Sequence, residues 1–320
     1  MRKIIVIFTI LSLLLIVPLA GWTQENGKRT RLNEEVVVKI KYGKRDGEFG
    51  RKDFGDGFPI TPRAFTFDSK NNIYIADSAN ETPRVQVFDY KGKFLRKISL
   101  ESRFKDPIVI DIEIKASYLY VLLYREDIQV FTLMGKPIRT IKYYMAFDMK
   151  NKWTDALYNP SRMEVDSIGN IYLSAEAGAL VKLDAQGKLL QKWSYVDHYI
   201  DTNSNLFVME LTKTKRGLTA KYASDGNKIL ESKCEDLFPA PLGQGCRLPD
   251  FVDKKGRMYR RFQVKFKDGS ITRIIRYTKQ KSVLLETDLY FDETSDYYKI
   301  DEDGNIYTIK DDFIKYSTSE

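Results

Sequence analysis

An all-β fold built from a repeated four-stranded unit is what this sequence predicts, and three observations predict it. The chain has 320 residues and is 13% aromatic, with 20 Tyr and 18 Phe, residue types that suit a pleated, half-buried surface. A single local pattern returns along the chain: an alternating apolar strand ending near Asp, a turn rich in Gly, Asn and Lys, then a strand opening on an aliphatic–aromatic pair. No long helical periodicity follows residue 20.

The repeat is read directly from the residues. Phe65-Thr66-Phe67-Asp68 leads through a turn to Ile73-Tyr74-Ile75, and Met163-Glu164-Val165-Asp166 leads through Gly169-Asn170 to Ile171-Tyr172-Leu173. Tyr199-Ile200-Asp201 leads to Leu206-Phe207-Val208, Phe251-Val252-Asp253 to Met258-Tyr259, and Tyr298-Lys299-Ile300-Asp301 to Ile306-Tyr307. In all five copies the Asp stands six residues before the aromatic. A degenerate sixth lies at Ile110 to Val121, with Leu119-Tyr120 in the pair position and no matching Asp. Asn and Gly accept positive φ, and Asp can bond its own following backbone, so each copy reads as a hairpin.

Two more strands follow each hairpin. Arg84 to Asp89 passes through Gly92 to Phe94–Ile98; Ile128 to Phe131 passes through Gly135 to Ile138–Ile141; Leu180 to Asp184 passes through Gly187 to Leu189–Trp193. Four-stranded meanders repeated every 40 to 50 residues or so are the mark of a β-propeller, and six starts predict six blades. After Asp301 only three strands remain, the last being Phe313–Tyr316. The orphan run Glu35–Ile40 is therefore expected to supply the outer strand of the last blade and close the ring, removing an open edge.

The stretch Pro62 to Ile98 resembles an NHL repeat. It has the Pro before the first strand, the Asn-Ile-Tyr-Ile-Ala-Asp core of Asn72 to Asp77, the Arg-Val-Gln-Val-Phe-Asp run of Arg84 to Asp89, and Gly-Lys-Phe-Leu at Gly92 to Leu95. The resemblance implies an NHL/TolB-like six-bladed propeller over about residues 35 to 320, of the kind exported by bacteria. It also implies a structural pair between Asp77 and Arg84. Later blades keep the skeleton and lose the Asp and Arg.

The amino terminus predicts export. Met1-Arg2-Lys3 is a basic head, Ile4 to Ala20 is almost wholly apolar, and Pro18-Leu19-Ala20 offers a turn and a small residue before Gly21, the layout of a secretory signal peptide. The expected organisation is a signal peptide at 1–20, a linker at 21–33 and the propeller at 34–320, in a periplasmic or secreted monomer. An uncleaved anchor is the alternative. Two cysteines, Cys234 and Cys246, bracket a Pro/Gly-rich segment, and export would let them pair. Such a disulfide would stabilise by about 3 kcal/mol in the chain-entropy model. The formal charge of +8 is spread along the chain and loses two units if Arg2 and Lys3 leave. No aromatic-plus-basic module for nucleic acid is present.

Propeller geometry places the connections between blades on one face, with those between second and third strands. The two longest insertions, Tyr143 to Pro160 and Cys234 to Cys246, should rise there, where long loops on a rigid scaffold carry binding. Innermost strands begin just after Pro62, Pro107, Pro160 and Pro249, which puts Arg63, Arg162 and Asp250 near the channel mouth. Arg63 and Arg162 could take an anionic group through the guanidinium fork. Lys152 and Trp153 sit in the longer insertion, Trp153 offering a stacking surface for a sugar or aromatic ring.

A catalytic site is harder to assemble. His198 is the single His, so neither a multi-His zinc site nor a Ser-His-Asp arrangement can be argued. Asp301-Glu302-Asp303-Gly304-Asn305 hints at a calcium loop but lacks the twelve-residue spacing and the closing Glu, and it sits where every blade has a tight turn. The expectation is a non-catalytic exported binding or scaffold propeller without cofactor, offering its loop-rich face to a protein, peptide or glycan. A calcium-dependent lactonase or hydrolase is the rival.

Overall fold

The computed structural model describes residues 30–51, 62, 64–78, 83–104, 108–124, 127–143, 160–175, 179–193, 196–210, 218–238, 248–266, 269–277, 282–286, 298–309 and 312–317. The apolar segment at 1–20 and most of both long insertions lie outside them.

The described strands form six sheets, five of four strands and one of five. Taken in chain order, the first sheet runs Phe65–Phe67, Ile73–Asp77, Arg84–Phe88 and Phe94–Ser99. The second runs Val109–Lys115, Tyr118–Leu123, Ile128–Thr132 and Pro137–Ile141. The third runs Pro160–Val165, Ile171–Ala175, Leu180–Leu183 and Leu189–Trp193, and the fourth Val196–Ile200, Leu206–Glu210, Leu218–Tyr222 and Lys228–Lys233. All four are antiparallel meanders with strands in sequence order.

The chain termini make the other two. The sixth sheet combines Tyr298–Ile300, Ile306–Ile309 and Phe313–Ser317 with Asn33–Val38 from the beginning of the chain. Asn33 lies opposite Ser317, and Val38 opposite Phe313, in antiparallel register. The closing strand is thus two residues earlier than Glu35–Ile40. The ladder stops because the Ile40 amide donates instead to the Asp312 carboxylate at 2.8 Å.

The fifth sheet departs from the four-stranded expectation. To Phe251–Val252, Met258–Phe266, Gly269–Tyr277 and Ser282–Glu286 it adds Thr30–Arg31, paired in parallel with Leu285 and Glu286. Residues 30, 31 and 33, expected in the linker, are therefore strand, and one short segment ties the outer edges of two sheets. The nine-residue central strands of this sheet stay paired from Met258–Tyr277 to Phe266–Gly269, well past the two-residue inner strand.

Hydrophobic packing arranges the sheets as a β-propeller. Six apolar clusters lie between successive sheets: Tyr74 and Val87 with Ile112 and Val121; Leu122 and Val130 with Met163 and Leu173; Tyr172 and Leu180 with Val196 and Val208. The series continues with Met209 against Met258, Tyr259 against Ile306, and Phe313 against Phe65, which returns to the start. Middle strands bury both faces, as the all-buried runs Ile73–Asp77 and Arg84–Phe88 show, while outer strands such as Pro137–Ile141 and Lys228–Lys233 are largely exposed.

The recurrent Asp explains the turns. Asp166 Oδ1 accepts the amides of Ile168 and Asn170, and Oδ2 accepts the Asn170 side chain at 2.8 Å and the Tyr172 hydroxyl at 3.3 Å. Asp68 does the same with Lys70, Asn72 and Tyr74, and Asp301 with Asp303, Asn305 and Tyr307. In the fifth sheet Arg257 replaces the Asn and Tyr259 still donates to Asp253 at 3.0 Å. The spacing of six is thus the reach from a turn carboxylate to a tyrosine on the next strand. The second sheet, which lacks the Asp, turns instead on Ala116 and Ser117 at φ 48° and 67°, the geometry of a two-residue primed hairpin.

Candidate ligand site at the channel mouth

Alternation of strand direction puts the tight turns on one face and the inter-blade connections on the other. The innermost strands Val109–Lys115, Pro160–Val165, Val196–Ile200 and Tyr298–Ile300 all start at the loop face, so their first residues surround the same end of the axial channel. Apolar side chains at these positions point between sheets; the polar ones gather at the axis.

Arg162 stands at the centre of this group. Its Nε lies 3.1 Å from Glu164 Oε1, and its side chain is half exposed, at 51%. Glu164 holds the guanidinium pKa above its ordinary value against the opposing cost of burial, with smaller contributions from Tyr298, Asp250 and Asp111 on three other sheets. Among the described residues no hydrogen bond from its Nη nitrogens to protein is formed. His198 Nε2 is 3.8 Å from the same Glu164 oxygen. Burial pushes the imidazole pKa down, and Arg162 adds to that, while Glu164 works against it.

Asp250 organises the opposite wall. Its Oδ2 accepts the Arg261 amide at 2.6 Å and the Tyr298 hydroxyl at 2.7 Å, while Arg260 lies 3.4 Å from Oδ1. Burial, then Asp250, raises the Tyr298 pKa well above the phenol value, so this hydroxyl is a donor at any physiological pH. Arg260 also donates to Asp197 at 3.1 Å and to the Leu248 carbonyl. Burial works against its charge, but the two aspartates outweigh it and keep its pKa raised.

Asp111 and Lys299 complete the lining. Asp111 is 1% exposed and accepts the amides of Ile112 and Met163, at 2.7 and 2.8 Å. Burial pushes its pKa up to about 6, with Lys299 and the Met163 amide pulling the other way. Lys299 donates to the Ile112 carbonyl at 2.9 Å and to Glu113 at 2.6 Å.

Of the residues singled out in the sequence, Arg162 and Asp250 come together here; Arg63, Lys152 and Trp153 lie outside the described residues. Cys234 is fully buried in the cluster between the fourth and fifth sheets, beside Phe238 and Leu248. No described cysteine is free, and Cys246 lies outside the described residues. Arg84 Nε donates to Asp77 Oδ2 at 3.0 Å, and both are buried. Asp77 Oδ1 also accepts the Gly50 amide at 3.0 Å, and Arg84 and Gln86 both reach the Glu48 carbonyl at 2.6 Å. The pair therefore clamps the segment between the closing strand and the first sheet.

Sequence reasoning missed Asp111, Glu113, Glu164, Asp197, Arg260, Tyr298 and Lys299. Their signal was available: Asp111-Ile112-Glu113, Arg162-Met163-Glu164, Asp197-His198 and Tyr298-Lys299 each put charge or hydroxyl into a first strand where neighbours are apolar.

Among the described residues no three His, Cys, Asp or Glu side chains converge to hold a metal ion. The Asp301 carboxylate, at the sequence that hinted at calcium, is turned onto its own turn, where four donors occupy it. No helix of the described residues is long and apolar enough to cross a membrane.

No protein-family model matches the chain, and no curated protein matches it, so the NHL resemblance stays a likeness of the first sheet. Many solved structures do match. The Neurospora crassa Pan2 WD40 domain is 8% identical, with a TM-score of 0.48 over 81% of this chain and 89% of that one. The extracellular domain of a putative hybrid two-component system from B. thetaiotaomicron is 12% identical, with a TM-score of 0.46 over 89% of this chain and 39% of that one. BamB from Moraxella catarrhalis is 11% identical, with a TM-score of 0.35 over 70% of this chain and 56% of that one. At such scores the architecture rests on the strand pairing and cores of this chain itself.

Proposed function

We propose that this chain is an exported, non-catalytic binding propeller of six blades that presents its loop face, centred on the channel mouth, to a ligand. The observation that carries the reading is the state of the charges there. Asp250 is shared among Tyr298, Arg260 and Arg261, Glu164 is shared between Arg162 and His198, and Asp197 is held by Arg260. Such matched networks position groups for recognition. The half-exposed Arg162 is the member left facing solvent.

Arg63, Lys152 and Trp153 belong to the same face in this reading and extend the surface around the mouth. A bridge from Cys234 to Cys246 would staple one of its loops. Export follows from the signal-like residues 1–20 and agrees with a disulfide in that loop.

Site-specific photo-cross-linking in intact cells tests the proposal. A cross-linker at exposed Ser161, beside Arg162, is expected to give a discrete adduct, and one at exposed Lys70 on the turn face is expected to give none. Adducts from Lys70 alone would overturn the assignment of the face. Turnover of a lactone by purified protein that stops on calcium removal would overturn the non-catalytic reading.

A further inference from the structure

Lys299, on the innermost strand of the sixth sheet, bonds to Ile112 and Glu113 on the innermost strand of the second. These sheets are not neighbours, since the first lies between them, so the lysine side chain reaches past the innermost strand of the first sheet. Glu113 is two residues nearer the turn face than Asp111 along its strand. Arg162, Glu164 and Asp250 face the space on the loop-face side of the Lys299–Glu113 bridge, the pit of the channel mouth.

Among the described residues the charge in the pit is balanced to within one unit. Its carboxylates are Asp111, Glu113, Glu164, Asp197 and Asp250, and its cations are Arg162, Arg260, Arg261 and Lys299, with His198 held towards neutrality by burial. A carboxylate or phosphate entering would gain Arg162 but meet Glu164, already 3.1 Å from that guanidinium, and the Asp250 side opposite. A cation entering would meet Arg162 on the axis. Taking either ion from water costs several kcal/mol unless its charge is matched, and the Arg162 charge already has Glu164 at 3.1 Å. A neutral ligand escapes that penalty. The wall alternates donors, such as the Arg162 Nη groups, with carboxylate acceptors such as Glu164 and Asp250. Hydroxyl groups both donate and accept, so a ring of hydroxyls can serve both kinds of wall atom at once.

We propose that this pit takes a neutral saccharide unit, with Arg162 donating to its hydroxyls and Glu164 and Asp250 accepting from them. The assignment rests on the binding reading above and names the ligand class for the same site.

A glycan array bearing neutral, uronic-acid and amino sugars, probed with the full chain, is the test, followed by calorimetry on the tightest neutral hit. Binding to neutral glycans is expected, weakened at least about tenfold by Arg162→Gln and by Arg162→Lys, which keeps the charge and loses the fork. Lys70→Gln on the turn face should leave it unchanged. Raising NaCl from about 0.1 to 0.5 M should change the affinity less than about threefold, because no net charge is neutralised. An array silent for neutral sugars, a preference for uronic acids, or indifference to both Arg162 substitutions in folded protein would overturn the proposal. If the array is silent while Ser161 still cross-links to a partner, the saccharide falls and the loop-face reading survives. If both are silent, both fall.

Discussion

Lys299 and Glu113 meet at 2.6 Å although 186 residues and an intervening sheet separate them. Asp111, two residues before Glu113, feels the same ammonium, which works against the upward shift that burial imposes on its carboxyl. The three residues form one electrostatic unit that can be tested without knowing the ligand.

Asp111 is expected to titrate near pH 6 in the folded protein, followed by carboxyl NMR. Its folded pKa lies above its unfolded value of 3.8, so the folded state holds more protons between the two. Stability contributed by neutral Asp111 is complete below pH 4 and declines as pH rises through 6. Over that window the wild type should lose about 3 kcal/mol relative to Asp111→Asn, from roughly two pKa units at 1.36 kcal/mol each. Lys299→Met should move the titration higher still. An Asp111 pKa near 4 would contradict the burial argument.

The Asp–Tyr turn predicts a gain as well as losses. Tyr172→Phe should cost about 1 kcal/mol by chemical denaturation, for one hydroxyl bond to Asp166. Asp166→Ala removes the acceptor of four donors and should cost more, about 3 kcal/mol. In the fourth sheet Phe207 occupies the tyrosine position, and among the described residues Asp201 Oδ2 bonds only the Asn205 side chain. Phe207→Tyr should therefore stabilise by about 0.5–1 kcal/mol.

Arg84→Ala should be among the more damaging single changes outside the apolar cores. It takes the guanidinium from the fully buried Asp77 and one of two donors from the Glu48 carbonyl, at an expected cost of about 2–3 kcal/mol. Hydrogen exchange should speed first at Gly47 and Gly50, whose amides are held by Gln86 and Asp77.

Gly92→Ala tests the closure of the ring. Gly92 has φ +79°, and an added Cβ would lie 1.9 Å from the Val37 carbonyl oxygen on the closing strand. Both strain and overlap push that strand outward, so the melting temperature should fall by several degrees. Gly256→Ala, at φ +71° with open space around it, suffers the backbone strain alone and should cost less.

How far the sequence could be read depended on whether the relevant contact is local. The Asp-to-aromatic spacing of six was legible because turn carboxylate and tyrosine belong to one hairpin. Orphan valines at 36–38 announced a strand needing a partner at the other end of the chain. The two-residue offset of that strand was hidden, because it is set by Asp312, and so was the parallel addition of Thr30–Arg31 to Ser282–Glu286.

By itself the sequence determined the repeating hairpins, their turn chemistry and the incomplete last unit, since those follow from backbone preferences and strand alternation within a few dozen residues. Only the tertiary structure decided which charged side chains meet. Arg162, Asp250, Tyr298 and the Lys299–Glu113 bridge come from strands far apart in the chain, and closing the sheets into a ring is what brings them to a common axis.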